Sequence, residues 1–150
     1  MLAFVKKDTN YKDKHNFKKI IPKPSVYFDE EKTLLFINTS KIKMILNVRR
    51  GLSIDSLAYK SQKFKPIIGT IHRDETRSIY EGADFYTGHT IHEIINPMLK
   101  ITDLNNTVPR IYENEKCIKI FSNQKFKYGK LVKTIELRKD TETVFIQTNY

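Results

Sequence analysis

The sequence predicts an all-β fold, an antiparallel β-sandwich with a basic N-terminal arm. Three observations predict it. From Val26 onward, turn-forming residues recur about every 8–12 positions, the rhythm of short strands joined by tight connections. The last third of the chain alternates apolar and polar residues with period two, as half-buried strands do. One segment alone, residues 88–96, is a candidate helix, and there is neither an internal repeat nor a heptad.

The elements follow in order. Residues 1–25 hold seven lysines and two aspartates, about half of the net charge of +10, and close on Pro22-Lys23-Pro24. Two prolines one residue apart disfavour both helix and central strand, so 1–25 is expected to be a flexible arm and 26–150 the folded domain. Val26–Phe28 and Thr33–Asn38 flank a polar connection of hairpin length. A strand is expected at Lys43–Val48, and another at Ser53–Tyr59. In the latter, Ile54 and Leu57 cannot share a face without a bulge, and Gly51 is the expected source of the kink. Pro66–Ile71 reads as a strand weakened by Gly69. In 88–96, β-branched residues and Pro97 favour strand over the short helix that Ile91 and Ile95 would otherwise suggest. Lys116–Phe121, Leu131–Leu137 and Thr143–Gln147 form an expected antiparallel meander. In its middle strand Leu131, Lys133, Ile135 and Leu137 face the core, and Val132, Thr134 and Glu136 face water.

Composition narrows the function. The chain of 150 residues has material for one packed domain. A single cysteine, Cys117, excludes an intrachain disulfide framework and a cysteine-rich zinc site. No apolar run approaches the ~18 residues of a membrane-spanning helix, and the N-terminus lacks the order of a signal peptide, so a soluble cytoplasmic domain without a membrane partner is expected. P-loop, dinucleotide-binding, zincin, nucleophile-elbow and EF-hand spacings are all missing, and no cofactor is expected.

Charge and reactive groups concentrate in three places. Residues 116–139 carry eight cations against Glu136, interleaved with Phe121, Phe126 and Tyr128, the ingredients of a groove for single-stranded nucleic acid. Lysines on strands also serve solubility and edge protection, and that solvated-face reading requires nothing further. The second place is Asn47-Val-Arg-Arg-Gly51, and the third runs from His72 to Glu93. On a strand, His89 and His92 point to opposite faces and no third ligand is fixed by spacing, so no metal site is expected. His89 with Asp84 could act as an acid/base pair, which leaves enzymatic activity open. Sugar recognition uses aromatic faces together with planar carboxylate, amide and guanidinium groups. Tyr80, Asp84, Tyr86 and His89, with Arg49 and Arg50, supply these and are the candidate ligand-binding residues.

The strings Asn47-Val-Arg-Arg-Gly-Leu-Ser-Ile-Asp-Ser-Leu57, Ile67-Ile-Gly-Thr-Ile71 and Gly82-Ala-Asp-Phe-Tyr-Thr-Gly-His89 resemble the galactose-mutarotase-like β-supersandwich domain of carbohydrate-active enzymes. The nearest comparison is the sandwich module that accompanies glycoside hydrolase family 57 barrels. The resemblance covers about residues 33–95, and such domains are longer than this chain, which would make it a supersandwich-like fragment or a trimmed version. The family's hydrolytic carboxylates lie in a barrel, and no βα repeats are present here. The resemblance therefore implies a glycan-recognising accessory domain, non-catalytic on its own, whose partners are an oligosaccharide and a catalytic domain on another chain. A basic nucleic-acid-binding β module is the alternative.

Overall fold

The computed structural model describes residues 25–69, 87–95, 98–127 and 129–150. The expected arm, apart from Ser25, lies outside these residues, as do Tyr80, Asp84, Tyr86 and Tyr128. The described chain is antiparallel β throughout, interrupted by two single-turn 3-10 segments. Five strands form one meander: β1 (Val26–Phe28), β2 (Leu34–Asn38), β3 (Ile42–Asn47), β4 (Ser53–Tyr59) and β5 (Pro66–Gly69), adjacent in that order. A two-stranded hairpin follows, β6 (Ile91–Ile94) with β7 (Leu99–Thr102). The second meander is β8 (Arg110–Glu113), β9 (Cys117–Phe126), β10 (Gly129–Arg138) and β11 (Val144–Asn149), again adjacent in sequence order. Among the described residues no helix is long and apolar enough to cross a membrane.

Local chemistry sets the strands. The β1–β2 hairpin is closed by Asp29, whose carboxylate accepts hydrogen bonds from Thr33 N–H at 2.6 Å, Thr33 Oγ1 at 2.6 Å and Leu34 N–H at 2.8 Å. These bonds hold its pKa below the usual 3.8. On β4 the pairing with β3 shifts between Ile45 and Leu46: Ser56 faces Ile45, Ile54 faces Leu46, and Asp55 is the extra residue. That bulge lets Ile54 and Leu57 both be buried, so the irregularity lies within the strand and not at Gly51, where it was expected. Gly51 instead ends the 3-10 turn Val48–Arg50 with φ +62°.

The core lies between the two meanders. Leu35, Ile37, Ile42, Met44, Leu46, Val48, Leu52, Ile54 and Leu57 from the first pack with Ile118, Ile120, Ile135 and Leu137 from the second. Burying each such side chain contributes roughly 1.5–3 kcal/mol, against about 0–1 for an exposed ion pair, so this layer holds the sheets together. Polar ties at the rim fix their alignment. Ser25 Oγ donates to Glu113 Oε1, Ser40 Oγ to the Lys139 carbonyl at 3.2 Å, and Ser61 N–H to Glu142 Oε1 at 2.6 Å.

Three expectations are corrected. β9 runs five residues beyond Phe121, because Ser122–Phe126 pair with Gly129–Lys133 of β10 although their sequence is polar. β7 and β8 are strands that the sequence pattern did not indicate. Strand β6 begins only at Ile91, leaving His89 in the irregular connection before it.

Candidate functional site

Strand β10 separates two polar constellations, one on each face of its sheet. Toward the core, Leu131, Lys133, Ile135 and Leu137 are all buried, and Lys133 is 0% exposed. Its ammonium donates to the Gly51 and Gly88 carbonyls, each at 2.9 Å, and forms an ion pair with the Asp103 carboxylate. Asp103, 1% exposed, follows β7; its Oδ1 accepts the Thr90 N–H at 2.8 Å and its carbonyl accepts Gln124 Nε2 at 2.8 Å. One ammonium therefore clamps the 3-10 turn, the segment before β6 and the end of β7 against β10. Desolvation pushes the Lys133 pKa below 10.5; the hydrogen bond and charge of Asp103 oppose that shift without cancelling it. Gly51 is required here twice. Its φ is positive, and a Cβ at that position would lie 1.7 Å from the Asp103 carbonyl oxygen.

Away from the core, the same sheet carries a groove of about 540 Å³. Cross-strand register builds it. Residues directly opposite in an antiparallel pair share a face, which aligns Tyr112 with Lys119 and Glu136, and Arg110 with Phe121 and Thr134. Asn123 then faces Val132, and Lys125 faces Lys130. Val108, Arg110, Tyr112, Lys119, Phe121, Asn123, Lys130 and Val132 contribute to the lining. Tyr112 is 63% exposed and meets Phe121 edge to face, ring centroids 5.6 Å apart at 88°. Lys119 binds Glu136 at 3.0 Å, and Arg138 Nε reaches the other oxygen of that carboxylate at 3.2 Å.

The residues expected to bind a ligand are distributed differently. Arg49 and Arg50 occupy the exposed 3-10 turn, and Arg49 Nη2 lies 3.7 Å from Glu31 Oε2. His89 is half-buried beside Gly88. The diarginine turn and the His89 segment do meet, through Gly51 and Gly88 on the Lys133 ammonium, and through the Ile54 N–H donating to the Thr87 carbonyl at 2.7 Å. Tyr80, Asp84 and Tyr86 lie outside the described residues. Among the described residues no cluster of three or more His, Cys, Asp or Glu side chains could hold a metal ion. His92 packs its ring 4.7 Å from that of Tyr150.

No family model, curated protein or solved structure matches this chain. Function therefore has to be argued from its own residues. Sequence reasoning identified Lys119, Phe121 and Lys130 as part of a basic, aromatic stretch, but the structure splits that stretch. Phe121 lines the groove, whereas Phe126 falls on the opposite face of β9, and Lys133 is buried with the inward side chains of β10, as its place in the alternation indicated. Arg110 and Tyr112 were missed. Their strand is short and mixes one apolar residue with charges, and only its register against β9 places them beside Phe121.

Proposed function

We propose that this is a glycan-recognising β-sandwich domain of a polysaccharide-processing system, acting by binding without a cofactor and alongside a catalytic domain on another chain. The outer groove of the β8–β11 sheet is its sugar surface. One observation carries this reading. An exposed tyrosine ring, a guanidinium, an amide and ammonium groups converge in a groove of about 540 Å³, a size typical of small-ligand sites. Aromatic rings stack on the apolar faces of pyranose rings, and planar polar groups satisfy the hydroxyls at their rims. Tyr112 supplies the ring, and Arg110 and Asn123 supply the polar contacts.

Nucleic acid is the second reading, favoured by the cations on this face. Successive bases need successive stacking platforms. Among the groove-lining residues Tyr112 is the one exposed ring, since Phe121 is half-buried against it.

Titration calorimetry after a glycan-array screen tests the proposal. Tyr112→Ala is expected to weaken binding of the selected oligosaccharide at least about tenfold, the scale of one lost aromatic contact, while the melting temperature holds. Undiminished binding in Tyr112→Ala, with loss in Asp84→Ala or Tyr86→Ala, would move the sugar to the 80–89 segment.

A further inference from the structure

Resting on the groove as a sugar surface, we propose that its ligand is an acidic glycan, a chain bearing carboxylate or sulfate groups, bound across Arg110 and the opposed pair Lys125 and Lys130. Three features lead to the anion. The outer face of the β8–β11 sheet holds Arg110, Lys119, Lys125, Lys130 and Arg138, and Glu136 is its one carboxylate among the described residues. The β11 residues on that face, Phe145, Gln147 and Asn149, are uncharged.

Those charges are unevenly satisfied. Lys119 and Arg138 both converge on Glu136. Lys125 and Lys130 stand directly opposite one another in the β9–β10 register, where like charges destabilise a sheet. The Lys119–Glu136 rung, six residues along the same two strands, shows that this sheet does pair opposite charges across them. At the hairpin end it instead sets ammonium against ammonium. Arg110 has no ion-pair partner among the described residues. An anionic group lying between Lys125 and Lys130 relieves their repulsion, and a second one on the chain reaches Arg110. A neutral glycan relieves neither.

The pattern also distinguishes the macromolecule. Lysine acts as a strongly hydrated point charge and needs no planar partner, which suits carboxylates or sulfates spaced along a wet polymer. Tyr112 is the exposed ring of the groove itself and offers one sugar platform; Phe145, also exposed on this face, stands three strands away on β11, too far to continue a row of adjacent base platforms.

The test uses the full chain titrated with an oligogalacturonate, a sulfated dextran oligomer, a neutral gluco-oligosaccharide and an oligothymidylate of equal length, over a salt series. The expected result is that one of the two acidic sugars binds at least tenfold tighter than the neutral one. Its affinity should fall steeply with salt, and the double variant Lys125→Gln/Lys130→Gln should reduce the acidic-to-neutral preference at least tenfold. The same variant should melt at or above the parent temperature, because it removes the like-charge rung. Equal binding of acidic and neutral sugars, with both lost in Tyr112→Ala, overturns the acidic preference and leaves the glycan reading standing. No binding of any sugar overturns both. Tighter binding of the oligothymidylate than of either acidic sugar replaces them with the nucleic-acid reading.

Discussion

Replacing Lys133 with methionine removes the ammonium while keeping most of the side-chain volume. What it leaves behind is unfavourable: an Asp103 carboxylate at 1% exposure whose remaining hydrogen bond is from Thr90 N–H at 2.8 Å, and the Gly51 and Gly88 carbonyls without the donor they shared. Removing one member of a buried pair typically costs about 3–5 kcal/mol because the other charge stays buried. Domain stabilities are roughly 5–15 kcal/mol, so Lys133→Met is expected to consume a large share of the total. At about 2–4 °C per kcal/mol for a chain of this size, the melting temperature should fall by roughly 6–20 °C. Urea unfolding and calorimetry at neutral pH measure both quantities. The second arm is Asp103→Asn, which keeps an acceptor toward Thr90, and the third is the double variant. Coupled partners should give an interaction energy of about 1–3 kcal/mol, the double variant being less damaged than the sum of the singles. Loss of less than about 1 kcal/mol in Lys133→Met, or strict additivity, would refute the claim that this pair clamps β10 to the three segments around it.

Further consequences can be measured on the same samples. Because the folded pKa of Lys133 is depressed below 10.5, the unfolded chain retains a proton that the folded chain has released in the window between the two values. Stability from this group therefore rises with pH across that window; Lys133→Met should erase this component of the stability profile. Gly51→Ala combines a left-handed backbone, worth about 1–2 kcal/mol against a side chain, with a Cβ that would sit 1.7 Å from the Asp103 carbonyl oxygen. It should lower the melting temperature more than Gly69→Ala, whose Cβ would meet only the Asp55 carbonyl at 3.2 Å, and equal melts would contradict the close approach.

How much of this was legible depended on whether a feature is local. The bulge in β4 was, since Ile54 and Leu57 are both apolar at a spacing that an unbroken strand cannot bury on one side. The inward face of β10 was also readable, Lys133 included, as a cation among Leu131, Ile135 and Leu137. Its partner was not. Asp103 lies in a stretch with no marking pattern, and nothing in residue spacing couples it to a lysine thirty positions later; only packing of the end of β7 onto the inner face of β10 does so. Ser122–Phe126 falls outside the expected strand because four of its five residues are polar, yet pairing with Gly129–Lys133 extends the strand and buries Ser122 and Gln124. The groove was half visible for the same reason. Its β9 and β10 residues stood out by charge, while Arg110 and Tyr112 acquire their place from register alone.

Strand β10 explains why a buried cation persists where leucine would pack without a desolvation cost. Its alternation is such that a slip of one residue would carry Lys133 to the outer face and bring Val132 or Thr134 to the carbonyls of Gly51 and Gly88. Neither side chain can replace an ammonium that serves two carbonyls and a carboxylate together. A purely aliphatic inner face would tolerate the slipped pairing far better, since Val132 is itself apolar. The ion pair thus lowers stability relative to an ideal apolar core while penalising the wrong register, the trade that buried polar groups make where they specify structure. The same register sets Val132 against Asn123 and Lys130 against Lys125, and so shapes the outer groove. The double variant of the Lys133–Asp103 cycle separates the two contributions. If the clamp fixes register, that protein regains stability without regaining the parent's groove affinity. If packing alone fixes it, both return together.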